Sequence, residues 1–238
     1  MYGWRAAIGI ICPKDNRIIE PEFNELAPDG VSVHATRLST VELDEMPAAG
    51  RDEAAKVNEM GADVVVYACN ASSFHEGPDA HQQIKDGLED ASSLPATTAS
   101  TAILAALDEL AVDTVDIVTP YGEDDNDRLR RFLEGNGIST GRMSGLGLAS
   151  DEVEDLAKVN EETARDTYRR TLETAADAEA VLVVSTNLAS VETLAAIEED
   201  LGKPVVSVNQ AMFWHAMCVT GTDVTVPGYG TLLSGTDR

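Results

Sequence analysis

Residues 64–73 read VVVYACNASS, an unbroken apolar run that ends in a group of small polar residues. An apolar run without polar alternation predicts a strand that is buried on both faces, as in a parallel sheet covered by helices. The pattern returns at residues 181–190, VLVVSTNLAS, where Ser185 stands in the place of Cys69, 116 residues further along the chain. This pair predicts an α/β fold in which each of two halves contains such a strand and loop.

Two further pairs of segments repeat in the same order. Pro13 and Pro120 are 107 residues apart in one pair, and Pro95 and Pro204 are 109 apart in the other. The segments are GIICPKDN (9–16) with DIVTPYGEDDN (116–126), and LPATTASTAILAAL (94–107) with KPVVSVNQAMFWHAM (203–217). Three correspondences at similar spacing indicate a duplicated α/β unit.

Apolar runs and helical periodicity place the elements of each unit. We predict strands at residues 6–12, 31–35, 64–67, 115–119, 180–184 and 204–208. We predict helices at residues 48–60, 125–134, 153–175 and 191–200. The expected fold is two pseudo-symmetric, doubly wound parallel-sheet lobes. The active site is expected between them, because ligands of open α/β sheets bind at the carboxyl ends of the strands.

The charge of the chain excludes several classes of partner. Its 238 residues include 42 acidic and 17 basic side chains, which gives a net charge of −25. Without a basic surplus, neither nucleic acid nor an anionic membrane is an expected partner. In dilute buffer the acidic side chains of such a protein repel one another. In molar salt the Debye length falls to about 3 Å, so this repulsion is largely screened. We therefore expect a halophilic protein from a salt-accumulating organism, and the alternative is an ordinary acidic protein.

The compartment expected for the chain is the cytoplasm. Its three cysteines are few and odd in number, so a disulfide framework is not expected. No apolar run has the length of a membrane span, and the stretch MYGWRAAIGIICP lacks the pattern of a signal peptide.

Small polar residues follow the predicted strands in loops that could carry chemistry. Cys69 lies at such a turn, where backbone N–H groups can lower the pKa of a thiol or hold a carboxylate. The alternative is that Cys69 is a small apolar side chain that closes a strand. Ser185 favours the functional interpretation, because it places a hydroxyl at the equivalent position across the expected cleft.

Other reactive side chains have plainer interpretations. His75 is either a proton carrier for the site or a surface histidine, and Cys12 is expected to pack at the end of its strand. Cys218 and Trp214 lie in a helical pattern that is typical of the core. No spacing of His, Cys and Asp predicts a metal site, and no glycine-rich nucleotide motif is present. Two acidic runs are expected to be solvated faces, 123–127 and 151–155.

Several strings of the sequence together resemble a known family. They are YACNASS (67–73), TPY (119–121), VVSTNL (183–188), KPVVSVNQAMFW (203–214) and GYGTLL (228–233). The first is similar to the first cysteine motif of the Asp/Glu racemase superfamily. The TPY loop and the last two strings are more similar to its maleate isomerase and arylmalonate decarboxylase branch. The resemblance extends from Gly9 to Leu233, nearly the whole chain.

This resemblance implies chemistry without a cofactor at a carbon next to a carboxylate. It makes Cys69 the nucleophile, since in maleate isomerases the matching cysteine attacks the double bond and allows rotation about the carbon–carbon bond. The substrate-binding groups that it implies, besides loop amides, are Asn16, Asn70, Tyr121, Asn126, Thr186 and Asn187. The implied first lobe is residues 1–97 with 208–238, and the second is 98–207. The expected partner is a small dicarboxylate or monocarboxylate substrate, and a homo-oligomer is expected.

Two positions depart from the pattern of the family. Ser185 replaces the second cysteine, and a hydroxyl is a far weaker acid than a thiol. Asp151 and Glu152 stand where the family places a carboxylate-binding asparagine.

Decarboxylases of the branch keep the second cysteine and lack the first, so the pattern here favours an isomerase. The expected function is cis–trans isomerisation of a maleate-type dicarboxylate, with Cys69 and Ser185 as catalytic residues. The alternatives are a cofactor-independent decarboxylase or racemase, and a carboxylate-binding protein without turnover.

Overall fold

Two four-stranded parallel sheets form the framework of the chain. The structure is a computed structural model and describes residues 2–222 and 225–235. The first sheet contains β1 (Ala6–Cys12), β2 (Val31–Arg37), β3 (Val64–Tyr67) and β4 (Ala96–Thr98). The second contains β5 (Thr114–Val118), β6 (Ser139–Ser144), β7 (Ala180–Val183) and β8 (Val205–Ser207). Their orders, β2-β1-β3-β4 and β6-β5-β7-β8, are the same, which confirms the predicted duplication.

The central strands of each sheet are buried because helices cover both faces. Ile8 of β1 pairs with Val33 and Val64 in its two neighbours, and every pair of strands in the two sheets is parallel. All seven residues of β1 and all four of β3 are buried. The continuous apolar runs of the sequence therefore arise, as predicted, from strands that are buried on both faces of a parallel sheet.

Ten helices connect the strands within the described residues. They are α1 (Ile19–Leu26), α2 (Met46–Glu59), α3 (Asn70–Phe74), α4 (Ala80–Ser92), α5 (Ala99–Glu109), α6 (Glu123–Gly135), α7 (Val153–Val159), α8 (Ala164–Thr174), α9 (Leu194–Leu201) and α10 (Val208–Val219). Two 3-10 turns lie at Val191–Thr193 and Thr231–Leu233. Side chains set the beginnings of several helices. Ser207, for example, starts α10 in a capping box with Gln210.

In residues 2–222 and 225–235, no helix has the length and apolar character needed to cross a membrane.

Three local predictions were wrong or incomplete. The single helix expected over residues 153–175 is two helices, because Thr163 and Asp166 form a capping box that starts α8 afresh. Cys218 is exposed rather than part of the core, since it lies on the outer face of α10, while Trp214 is half-buried against the core. Strands β4 and β6 were not predicted. Strand β4 has only three residues, and β6 has the polar sequence STGRMS at a partly exposed sheet edge.

The last helix, α10, contacts the first half of the chain. The ring of Phe213 meets that of Phe23 edge to face, with centroids 5.6 Å apart. His215 Nδ1 lies 2.7 Å from Thr97 Oγ1. These contacts are compatible with lobe boundaries near residues 97 and 208, which stay a prediction.

Candidate active site

A small cavity lies where the loops after β1, β3, β5 and β7 meet, and we call it the inner cavity. Its volume is about 40 Å³, room for about one water molecule. Its polar lining consists of Cys69, Asn70, Tyr121, Ser150, Ser185, Thr186 and Asn187. Six of the eight predicted site residues are thus brought together, and the other two, Asn16 and Asn126, lie behind this lining.

Cys69 lies between β3 and α3 and is only 5% exposed. Its Sγ is 3.3 Å from Sδ of Met46, which covers the thiol from α2. Burial raises the pKa of Cys69, while the Ser72 hydroxyl and the N–H groups of Ser72 and Ala71 lower it. The N–H groups of the turn thus lower the pKa of the thiol, as the sequence suggested, but burial raises this pKa by a larger amount. Cys69 therefore rests as a protonated thiol at neutral pH.

Asn70 and Tyr121 extend this side of the cavity across the two halves of the chain. Asn70 Nδ2 lies 3.5 Å from the hydroxyl of Tyr121, and Asn70 Oδ1 has no hydrogen-bond partner. Burial raises the pKa of Tyr121 well above its usual range. The phenol therefore stays protonated and can donate a hydrogen bond to an anion.

Asn126 holds the loop that carries Tyr121. Its Nδ2 donates to Tyr121 O at 3.0 Å, and its Oδ1 accepts from Thr119 Oγ1 at 2.9 Å. Gly145 approaches this loop so closely that a Cβ there would lie 2.5 Å from Tyr121 O, so a larger residue does not fit. In this arrangement both ends of the Asn126 amide are used within the loop and not toward the cavity.

Ser185 has an unusual backbone conformation on the opposite side of the inner cavity. Its φ is +107°, a region that L-residues seldom adopt and that costs about 1–3 kcal/mol. The Ser185 hydroxyl accepts from Asn187 N at 3.2 Å, and Asn187 Oδ1 is buried without a partner. The segment therefore presents a hydroxyl and an unused amide group to the cavity.

Asn16 supports this segment from behind. Its Nδ2 donates to Thr186 Oγ1 at 2.8 Å, and its Oδ1 accepts from Ile18 N and Ile19 N, both at 3.0 Å. The Asn16 side chain therefore connects the beginning of α1 with the loop after β7.

Apolar side chains that the sequence analysis did not select complete the inner cavity. They are Met46, Leu148, Leu156 and Val159, with two prolines, Pro13 and Pro120. Leu156 and Val159 are three residues apart on α7, and this spacing on one helical face is a signal that the sequence did offer. Leu148 lies in a loop and had no such signal.

A larger outer cavity of about 520 Å³ adjoins the inner one and shares Leu148, Ala149 and Ser150 with it. Its acidic lining is Glu42, Asp44, Glu123, Asp124, Asp125 and Asp151. Asp125 accepts a hydrogen bond from Ser150 Oγ at 2.5 Å. The prediction that the whole acidic run 123–127 is a solvated face is therefore wrong for Asp125. His75 lines this outer cavity and is not among the residues that line the inner one. In the part of the chain that the structure describes, no three acidic, His or Cys side chains are arranged to hold a metal ion.

The arrangement has a defined chemical capacity. A thiol and a hydroxyl stand at matching positions of two duplicated halves, between neutral hydrogen-bond donors and apolar walls. Once widened, such a cavity can hold a carboxylate without a buried countercharge and place the sulfur of Cys69 beside it. Fold and site together define a duplicated α/β protein with a thiol-containing cavity at the ends of its parallel strands.

The chain belongs to the arylmalonate decarboxylase family, whose sequence profile matches residues 8–233. An arylmalonate decarboxylase of Bordetella bronchiseptica is 34% identical over 182 residues, which are 76% of this chain and 75% of that protein. A maleate isomerase of Alcaligenes faecalis is 24% identical and covers 96% of both chains. The chain is therefore a member of a family of enzymes that includes both activities.

Solved structures of both kinds share the fold. A maleate isomerase variant of Pseudomonas putida S16, crystallised with maleate, has a TM-score of 0.89 at 23% identity, with 97% of this chain and 98% of that chain covered. A liganded arylmalonate decarboxylase mutant, with one glycine changed to cysteine and one cysteine to serine, has a TM-score of 0.86 at 28% identity, covering 96% and 98%. A cysteine-to-serine mutant of a Nocardia farcinica maleate isomerase, with a covalently bound succinylcysteine intermediate, has a TM-score of 0.86 at 22% identity, covering 96% and 98%.

Proposed function

We propose that the chain is a cofactor-independent cis–trans isomerase of a small unsaturated dicarboxylate of the maleate type, with Cys69 as nucleophile. The observation that carries this proposal is the position of the thiols. All three cysteines lie in the described residues, and Cys69 lines the inner cavity, whereas Cys12 is buried in β1 and Cys218 is exposed. A covalent succinylcysteine in the Nocardia farcinica isomerase mutant supports sulfur addition as the reaction.

The reaction proceeds by addition and elimination. Cys69 releases its proton to water. The thiolate sulfur then bonds to one alkene carbon of maleate, while the π electrons move onto the other carbon and its carboxylate. The former double bond is now single and rotates. The electron pair then returns, the carbon–sulfur bond breaks, and fumarate and the thiolate are formed. Rotation and elimination require no proton on the carbon skeleton, so a serine at position 185 is no obstacle. A succinylcysteine is the same adduct after its enediolate has taken up a proton on carbon.

The neutral polar groups of the inner cavity serve this reaction by stabilising charge. Tyr121 and Ser185 can donate hydrogen bonds to the enediolate that forms after addition, and such donors act most strongly where water is excluded. Asn70 and Asn187 each have a buried side-chain oxygen without a partner. These oxygens can accept a hydrogen bond from a protonated group of a ligand, whereas only the Nδ2 side of each amide can donate to a carboxylate. We assign Asn16 and Asn126 the role of holding these groups in place.

Substrate entry requires the cavity to widen. A dicarboxylate of four carbons is several times larger than the single water molecule for which the inner cavity of about 40 Å³ has room. Met46 covers Cys69 with a flexible, unbranched side chain, which can change rotamer at little cost. We propose that Met46 and the segment 148–150 move aside when substrate binds.

A second candidate is decarboxylation or racemisation at a carbon next to a carboxylate. The observation that favours it is the apolar wall formed by Leu148, Leu156 and Val159, which suits an apolar substituent better than a second carboxylate. The 34% identity to an arylmalonate decarboxylase points the same way. In this reaction Cys69 would deliver or remove the proton.

One set of assays separates these functions. The wild type and Cys69→Ala are incubated in molar KCl with maleate or with phenylmalonate, and the products are followed by proton NMR. Fumarate from the wild type alone, with a mass increase of one maleic acid on trapped Cys69, supports the isomerase. Carbon dioxide release from phenylmalonate without fumarate favours the second candidate. Binding of maleate without any turnover identifies a carboxylate-binding protein.

The remaining expectations for the protein are proposals of the same kind. A homo-oligomer is tested by size-exclusion chromatography with light scattering in molar KCl. The cytoplasmic location and the preference for salt likewise stay predictions.

A further inference from the structure

Glu22 is a buried carboxylate that the proposed reaction does not use. It lies on the apolar face of α1, beside Ile19, Phe23 and Leu26, and is 6% exposed. A carboxyl group in such a place is costly unless hydrogen bonds satisfy it. Its position on an apolar helical face is therefore a sign of a specific role.

Among the described residues, every hydrogen bond to the Glu22 carboxyl group comes from distant parts of the chain. Its Oε1 accepts from Ser190 N at 2.5 Å and from Val191 N at 3.0 Å. Its Oε2 accepts from Asn209 Nδ2 at 2.6 Å. Glu22 thus connects α1 with the segment after β7 and with the first turn of α10.

The same contacts reach the lining of the inner cavity. Asn209 Nδ2 also lies 3.3 Å from Thr186 O. Thr186 is further held by Asn16, which caps the beginning of α1. The loop after β7 is therefore attached to α1 at both of its ends, through Thr186 at one end and through Ser190 and Val191 at the other.

Between these attachments and β7 lies Ser185, with its φ of +107°. A residue in this region keeps its conformation only when the surrounding structure holds it. We propose that Glu22 is a positioning residue that holds the segment 185–191 in the geometry required for turnover. This inference rests on the proposed function of the inner cavity, and it assigns to Glu22 no contact with substrate.

Glu22→Gln tests the inference with little change in shape. The glutamine oxygen can still accept from Ser190 N and Val191 N, but its amide nitrogen then faces the donor Nδ2 of Asn209. Asn209 must turn its amide, and it then loses its contact with Thr186 O. A displacement of the 185–187 segment is expected to lower kcat about tenfold to a hundredfold.

The matched control is Glu25→Gln, which makes the same chemical change one turn away on α1. Glu25 is exposed and accepts from the hydroxyl of Tyr229 at 3.1 Å, with no contact to the 185–191 segment among the hydrogen bonds of the described residues. Asn209→Ser is the second variant, since it removes the relay but leaves Glu22 its two backbone donors.

The measurements distinguish a local displacement of the 185–191 segment from a general loss of stability in the variant. We expect Glu22→Gln to lower kcat on maleate and to weaken the protection of Cys69 by succinate against iodoacetamide. Without succinate, the alkylation rate of Cys69 should stay within about twofold of wild type, because Cys69 lies on the other side of the cavity. Hydrogen–deuterium exchange should increase in residues 185–191 and stay unchanged in residues 64–74. Asn209→Ser should show the same pattern, and Glu25→Gln should match the wild type.

Two results would overturn the inference. One is a Glu22→Gln variant whose exchange in residues 185–191 and whose kcat equal those of Glu25→Gln. The other is an increase in exchange spread equally over both regions. If the wild type neither converts maleate nor is protected by succinate, the proposed function fails, while the exchange measurement still decides whether Glu22 holds the segment.

Discussion

Replacing Glu22 with glutamine changes how the stability of the protein depends on pH. Burial raises the pKa of Glu22 from 4.5 to about 7, although the N–H groups of Ser190 and Val191 and the amide of Asn209 lower it; Glu25 raises it slightly further. The folded state therefore retains a proton on Glu22 between pH 4.5 and about 7, where the unfolded chain has lost it. A folded state that binds more protons loses stability as pH rises through that interval.

The magnitude follows from the same pKa difference. From 4.5 to about 7, at 1.36 kcal/mol per pH unit, the loss is about 3 kcal/mol. Urea unfolding of the wild type and of Glu22→Gln, followed by circular dichroism at constant salt, measures it. The free energy of unfolding of the wild type minus that of the variant should fall by about 3 kcal/mol between pH 4.5 and 7.5. The other titrating groups are common to both proteins and cancel in the difference.

Glu25→Gln serves again as the control, and its difference from wild type should be nearly flat over this range. A flat difference for Glu22→Gln would refute the reasoning. A difference that rises with pH would show that the three donors hold Glu22 as an ionised carboxylate, the opposite of what burial predicts.

Three further outcomes are expected. The value of kcat/KM on maleate should rise with pH with a pKa above the 9.0 of an ordinary thiol, because burial raises the pKa of Cys69; a limb at or below that value would show that burial does not dominate this pKa, and the absence of a limb would contradict the thiolate step. Ser185→Gly should raise the free energy of unfolding by about 1 kcal/mol in urea titrations, since glycine tolerates a positive φ, and should lower kcat through loss of the hydroxyl; a less stable variant would show that Ser185 is not strained. Activity should increase from about 0.1 to 2 M KCl, because salt screens the acidic outer cavity from a dianionic substrate; a maximum in dilute buffer would argue against this.

Much of the architecture could be predicted because the buried strands have a simple sequence pattern. The strands β1, β3, β5 and β7 are the apolar centres of their sheets, so their burial on both faces leaves continuous apolar runs in the sequence. The duplication could be seen in the sequence because these apolar runs occur in the same order in both halves of the chain. Both sheets do have the same strand order, and the loops after matching strands do line one cavity.

The errors arise where tertiary contacts decide the local structure. Strand β6 lies at a sheet edge and is polar, so its sequence resembles a loop. The helix predicted over residues 153–175 is interrupted near Asn160, whose side chain donates to Asp15 O in the other half of the chain at 3.2 Å. Such a contact is invisible to periodicity, although the Thr163–Asp166 spacing was a capping signal that could have been used.

The lining of the inner cavity could be predicted from the sequence, but the residues that support this lining could not. Chemical type and position after a strand were enough to select Cys69 and Ser185. Glu22 was missed, although an acid among Ile19, Phe23 and Leu26 on one helical face is an anomaly that the sequence shows. What the sequence could not show is that its partners are Ser190, Val191 and Asn209, because those contacts span 168 to 187 residues.

The central claim is that Cys69 performs addition to a carbon–carbon double bond. The most direct test is the conversion of maleate to fumarate by the wild type and by Cys69→Ala, followed by proton NMR in molar KCl. We expect fumarate to accumulate with the wild type and to be absent with Cys69→Ala, while both proteins bind succinate. Equal inactivity of the two proteins toward maleate, with binding retained, would contradict the claim.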